Sequence, residues 1–101
     1  MVEVRQTERF VRWLESLRDL RGRAKVLAKI ERLFGGNPGD VKPVGAGVSE
    51  LRINYGLGYR VYYLQKGAEL IILLAGGDKS SQAKDIDEAL LLADNLTEET
   101  L

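Results

Sequence analysis

The chain begins with "VEVRQT", where Val2 and Val4 alternate with Glu3 and Arg5. That period of two predicts a short, half-buried strand. The period then lengthens. After Thr7, a good helix cap, Phe10, Trp13, Leu14 and Leu17 recur at three- and four-residue spacing and form one apolar stripe. Asp19 caps a second helix that runs to "FGG", where Gly35 or Gly36 supplies a left-handed stop. Its expected core face is Leu20, Ala24, Leu27, Ile30 and Phe34, and Arg21, Lys25, Lys29 and Arg32 form a basic stripe beside it. The short break at Asp19 predicts an antiparallel helical hairpin.

"NPGDVKPVGAG" holds both prolines and reads as a loop with extended segments. Three strand-like runs follow: "VSELRINY", "YRVYYLQ" and "ELIILLA". The last is apolar at every position from Leu70 to Ala75, as a central strand covered on both faces should be. "GGDKSSQ" ends it. A third helix then places Ile86, Ala89, Leu90 and Ala93 on one stripe, and "TEETL" is expected to fray. The pattern predicts one α+β domain over residues 1–101. An N-terminal strand and a helical hairpin pack on a small antiparallel sheet, with a C-terminal helix.

The turn "GLG" decides which side chains share a face. Three residues between Tyr55 and Tyr59 make a common hairpin length, and Gly58 is free to take positive φ. With Tyr55 opposite Tyr59, Ile53 faces Val61, Arg52 faces Tyr62 and Asn54 faces Arg60. One face then carries Leu51, Ile53, Tyr55, Tyr59, Val61 and Tyr63. The other carries Glu50, Arg52, Asn54, Arg60, Tyr62 and Leu64. A two-residue turn would mix charge into the apolar face. Both arginines are therefore expected on one face, diagonal to each other and about 7–8 Å apart at the backbone. Two guanidiniums and a phenol there suit successive phosphates, while Glu50 or Asn54 could instead hold Arg52 on a solvated face.

Composition narrows the chemistry. The 101 residues are 45% hydrophobic, enough for one core without staples. Without cysteine there is no disulfide framework or thiolate metal site; without histidine the commonest general base and metal ligand is missing. No apolar run is long enough to span a membrane, no signal pattern opens the chain, and the expected address is the cytoplasm. A net charge of zero conceals an asymmetry. Residues 1–66 hold 13 Lys/Arg against 7 Asp/Glu, and residues 67–101 hold 2 against 8, so balances of +6 and −6 cancel. One side of the protein is expected to meet an anion.

"GDVKPVG.GVSELR", "GYRVYY" and "LLAGGDKS" together resemble the RelE/ParE superfamily of bacterial toxins, most closely its HigB-like, phage-derived addiction module killer branch. The resemblance covers nearly the whole chain. It implies a toxin of a type II toxin-antitoxin system and a cognate antitoxin partner of the helix-turn-helix kind. It further implies metal-independent cleavage of mRNA on the ribosome, with no cofactor. Arg60 matches the arginine such enzymes place at the scissile phosphate, and Arg52 and Lys79 match basic positions on the preceding strand and after the last strand. The tyrosine or histidine of many relatives near the start of the final helix is replaced by Ala83, Lys84 and Asp85.

Such cleavage needs a base for the 2′-hydroxyl, cations for the phosphate oxygens and an acid for the leaving 5′-oxygen. Arg52 and Arg60 suit the charge role. For proton transfer Lys79 is the first choice and Asp85 the second, with Tyr62 and Asp78 in reserve. Arg21, Lys25, Lys29, Arg32 and Lys42 are the expected RNA-binding residues. The competing reading is a non-catalytic poison of DNA gyrase, as in the ParE branch of the same fold.

Overall fold

The computed structural model describes residues 2–100, and the side chains of residues 2–96. Along the chain come β1 (Glu3–Gln6), α1 (Glu8–Ser16), α2 (Leu20–Phe34), β2 (Val41–Gly45), β3 (Val48–Ile53), β4 (Tyr59–Lys66), β5 (Leu70–Gly77) and α3 (Gln82–Thr100). A single 3-10 turn, Lys79–Ser81, leads into α3. The expected fraying at 97–101 lies outside the fully described residues.

The strands form one sheet in the order β1-β5-β4-β3-β2. It is mixed: β1 runs parallel to β5, and the other pairs are antiparallel. The apolar run of β5 lies between β1 and β4 and is covered on both sides. On one side Phe10 of α1 and Val26, Ile30 and Leu33 of α2 pack on Leu51, Ile53, Val61, Tyr63, Ile71 and Leu73. On the other side Ala89 and Ala93 of α3 pack with Tyr62, Leu64, Ile72, Leu74 and Ala75. A bulge in β5 lets Leu74 and Ala75, neighbours in sequence, both face α3.

The caps act as the sequence predicts. Thr7 Oγ1 accepts from the Phe10 amide at 3.0 Å, and Asp19 Oδ1 accepts from the Gly22 amide at 3.0 Å. The Thr7 hydroxyl also donates to the Leu74 carbonyl at 2.6 Å, which ties the bulge to the start of α1. Gly36, at φ 85°, takes the left-handed stop; the Gly36 and Asn37 amides bond back to Leu33 and Arg32.

Two expectations are corrected. "VKPVG" is not loop but β2, an edge strand, where Pro43 is tolerated because an edge can leave one side of its backbone unpaired. The buried face of α2 is Gly22, Val26, Ile30 and Leu33, so Leu20 is 75% exposed and Leu27 43% exposed. Gly22 causes this rotation. A Cβ there would stand 2.6 Å from a Tyr59 ring carbon, so only glycine lets the helix lie this close to β4. Arg21, Lys25, Lys29 and Arg32 each precede a buried residue by a single position, and the stripe therefore lies on one shoulder of the helix.

Glycines also set the distance between the sheet and its coverings. A Cβ on Gly76 would enter the Trp13 ring, and one on Gly77 would collide with the Asp85 carboxylate on the opposite side. Gly77→Ala should lose about 1–3 kcal/mol of stability in urea unfolding, as overpacking commonly does. Gly35→Ala meets only ordinary contacts at a φ of −79°, and should be neutral or slightly stabilising in the same experiment.

Candidate functional site

Register positions the charged side chains. Ile53 pairs with Tyr59, Arg52 with Arg60, Leu51 with Val61 and Glu50 with Tyr62. This is two residues away from the expected register. The chain leaves the ladder after Ile53, and a five-residue connection turns through Gly56 and Gly58, both at positive φ. Within it the Tyr55 amide bonds to the Ile53 carbonyl and the Gly58 amide to the Tyr55 carbonyl. Because the shift is even, every side chain still in the ladder keeps its expected face, while Asn54 and Tyr55, expected in the strand, lie in the connection. The two arginines share that face and stand directly opposite, not diagonal.

Two rows cross the sheet beneath α3. One runs Lys42, Glu50, Tyr62 and Ala75; the next runs Arg52, Arg60 and Gly77. Glu50 lies at their centre and is completely buried. Its Oε1 accepts from Arg52 Nε at 2.9 Å, and its Oε2 accepts from the Tyr62 hydroxyl at 3.2 Å and from Gln82 Nε2 at 2.8 Å. Burial pushes its carboxyl up, but the donors from Gln82, Arg52 and Tyr62 outweigh it and hold the group below the ordinary carboxylate value. Arg60, 8% exposed, donates through one terminal nitrogen to the Gly58 and Tyr59 carbonyls. Its buried Nε stands 3.9 Å from Glu50 Oε1 and has no hydrogen-bond partner.

The other expected residues separate into groups. Tyr62 is fully buried and spends its hydroxyl on Glu50, so it cannot stack on a base or reach a phosphate without displacing α3. Asp85 is also buried: Arg9 reaches it at 3.1 Å and the Ser81 hydroxyl donates to it at 2.5 Å. Arg9 also bonds Glu88 at 2.7 Å, so both acids serve to dock α3 on α1. Among the described residues no group of three or more His, Cys, Asp or Glu could hold a metal ion.

Lys79 is exposed, and its stem lies over Gly58, whose carbonyl takes the Arg60 donor. Asp78 caps the turn that holds it, accepting from the Ser80 amide at 2.8 Å. Lys42 is exposed on β2, across from Glu50. On the other side of the sheet, Lys25 and Lys29 border a cleft of about 200 Å³ that Asp40, Arg52, Asn54 and Tyr55 complete. Lys25 Nζ stands 5.8 Å from the Tyr55 ring centre, and Lys29 and Arg32 converge over Gly39. Arg21 is exposed farther along the same helix. Arg52 thus borders both the row under α3 and the cleft beside α2.

Glu50 and Gln82 are the residues that sequence reasoning did not select. The alternation in "SELRI" already put Glu50 on the arginine face; its burial depends on α3, which only the tertiary fold brings over it. The network makes a pH prediction. Burial and the neighbouring Glu50 carboxylate hold the Tyr62 hydroxyl well above the ordinary value of 10.0. Its contribution to stability is complete below pH 10.0 and is lost as pH rises toward the folded-state value. Glu50 contributes in the opposite sense. Its share is present above about 4.5 and is lost as pH falls through its lowered value. Tyr62→Phe should cost about 1 kcal/mol at neutral pH and flatten the alkaline limb of a denaturant-midpoint profile.

Residues 12–98 match the family described as Phage derived protein Gp49-like (DUF891). The chain is also 50% identical, over 95 residues, to an uncharacterized protein of Haemophilus influenzae, an alignment that covers 94% of this chain and 96% of that relative. No solved structure matches. A match over most of the chain, a five-stranded mixed sheet with a C-terminal helix, and paired arginines on its covered face lead to one statement of kinship: the chain belongs to the Gp49-like phage-derived family, a toxin-like family related to the RelE/ParE-type toxins.

Proposed function

We propose that the protein is the toxin of a type II toxin-antitoxin pair and acts as a metal-independent endoribonuclease on mRNA at the ribosome. The observation that carries this reading is the directly opposed pair Arg52 and Arg60, with the buried Arg60 Nε unpartnered and Lys79 at the same end of the sheet. A phosphate is the ligand whose oxygens match two guanidinium forks and an ammonium. In the reaction the 2′-oxygen attacks its own phosphorus as a base takes its proton, and the bond to the 5′-oxygen breaks as an acid protonates it. Arg52 and Arg60 stabilise the charge gathering on the phosphate oxygens. Lys79 is the proton-transfer residue in this scheme, since Asp85 and Tyr62 are both buried and engaged.

Lys25, Lys29 and Arg32 extend the cationic track beside α2, with Arg21 beyond them and Lys42 on the opposite side of the sheet. The HigB-like branch is the one proposed, the cytoplasm is the proposed location, and among the described residues no helix is long and apolar enough to cross a membrane. The partner is a helix-turn-helix antitoxin whose acidic residues meet the α2 stripe.

One observation favours a second reading. Two acid–base candidates are locked in the interior, and Glu50 neutralises part of the arginine pair, as suits a protein that binds without reacting. A non-catalytic gyrase poison is that reading. Inducible expression in bacteria separates the two: RNA fragments with 5′-hydroxyl ends support the nuclease, and gyrase-trapped DNA breaks support the poison.

Arg52→Ala should lower the cleavage rate about a hundredfold, the usual cost of one charge-stabilising donor at a transition state, while the fold survives because Arg52 is partly exposed. Undiminished cleavage would remove it from the site. Lys79→Arg should be nearly inactive despite keeping the charge, because a guanidinium does not release its proton at working pH. Measuring cleavage by that variant across pH 5 to 10 checks the assignment, and retention of activity would exclude Lys79 as base. Charge reversal at Lys25 and Lys29 together should weaken antitoxin binding and make it less salt-sensitive, because the attraction that salt screens has been removed, read by titration at two ionic strengths.

A further inference from the structure

Glu50 divides its two oxygens between different tasks. Oε2 is pinned from two elements, by Tyr62 of β4 and Gln82 at the start of α3. Oε1 faces the arginines: it bonds Arg52 Nε at 2.9 Å and stands 3.9 Å from Arg60 Nε. The second distance is too long for a hydrogen bond, and the Arg60 Nε–H is buried with no other acceptor. A carboxylate serving only to bury two arginines would be expected to close on both. Here it closes on one and holds the other just short of contact. Register puts the two arginines directly across from one another, where like charges repel, and a single fixed anion that bonds one and lies near the other offsets that repulsion. One negative charge against two positive ones still leaves the pair cationic.

We propose that Glu50 is the positioning residue of the cationic site, holding Arg52 and Arg60 side by side so that both can engage the oxygens of one phosphodiester. It never touches the substrate, being completely buried; it acts through the arginines, and Gln82 acts through it. The Arg60 Nε is buried and unpartnered, so the Arg60 guanidinium is held by the charge of Glu50 and by the Gly58 and Tyr59 carbonyls, not by a bond to the carboxylate. This inference rests on the ribonuclease reading only for the identity of the phosphodiester; the ordering of the two guanidiniums is a property of the free protein.

Three measurements on the full chain test it, using Glu50→Gln, which keeps shape and removes charge, and Gln82→Ala, which keeps charge and loosens Oε2. Solvent exchange of the Arg52 and Arg60 Nε–H protons is followed by nitrogen-15 NMR in the free protein. Affinity is measured for a fully 2′-O-methylated RNA oligonucleotide, which binds but cannot be cleaved, and initial cleavage rates for the unmodified strand. In Glu50→Gln the Arg52 Nε–H proton should exchange about tenfold faster or more, as loss of a charge-assisted bond implies, and the Arg60 Nε–H should speed up too, because its guanidinium loses the nearby anion that orders it. The oligonucleotide should bind more tightly because an anion has gone, yet cleavage should fall about a hundredfold because the arginines are misplaced. Gln82→Ala should speed exchange in the same direction and slow cleavage with affinity unchanged. That split between binding and rate is what a purely structural role would not produce. Unaltered guanidinium exchange in folded Glu50→Gln overturns the proposal, as does a parallel fall of binding and cleavage with the folded fraction. Should Glu50→Gln fail to fold, Gln82→Ala decides by the same criteria. Absence of cleavage by the wild-type protein would refute the ribonuclease reading and leave the exchange result to judge Glu50.

Discussion

A carboxylate with no exposure must be surrounded by donors or give up its charge, and Glu50 is the point at which this protein meets that constraint. Its donors come from three directions: its own strand through Arg52, the next strand through Tyr62, and α3 through Gln82. The hairpin register, the entry of α3 and the arginine pair are therefore linked through one group. Shifting β3 by one residue would move Glu50 into the largely apolar Phe10, Ile30 and Leu51 core on the other side, away from Tyr62 and Gln82. The covered side of the sheet is specified by charge as much as by apolar packing.

The overall charge asymmetry acquires a physical meaning in the same region. Part of the acidic C-terminal third folds back onto the basic N-terminal part: Asp85 and Glu88 of α3 both meet Arg9 of α1. Those acids are internal counter-ions and no separate acidic surface. The α2 stripe receives no such partner, since Lys25, Lys29 and Arg32 make no ion pair among the described residues. The positive potential that remains is concentrated beside α2 and at the end of the sheet near Lys79.

Legibility in the sequence followed periodicity. Alternation assigned every residue paired between β3 and β4 to its correct face even though the turn is two residues longer than expected, because a face depends only on whether a shift is odd or even. The caps at Thr7 and Asp19 were equally legible, being set by side chains within three residues of the amides they satisfy. The rotation of α2 was not, since a helix with apolar residues on two adjoining flanks is aimed by its closest neighbour, here Tyr59 against Gly22. β2 was hidden because Pro43 and Gly45 and their neighbours read as loop, and only pairing with β3 makes it a strand. At the site, alternation put the arginines together, while the burial of Tyr62 and Asp85 depends on α3, which no local pattern positions.

The parallel pairing of β1 with β5 bears on the order in which the chain can assemble. Glu3 lies beside Leu70 and Gln6 beside Leu73, so the first strand has no partner until most of the chain exists. Contacts of such long sequence separation close late and slowly, because chain entropy must be surrendered before they return any energy. On a nascent chain, α2 and the β2–β3 hairpin have near neighbours as they emerge, but α1 must wait for β5 to supply the Leu74 carbonyl and for α3 to supply Asp85. Synthesis therefore completes the two ends of this protein together, and a chain halted before β5 would present two helices and three antiparallel strands without the strand that joins them to β1.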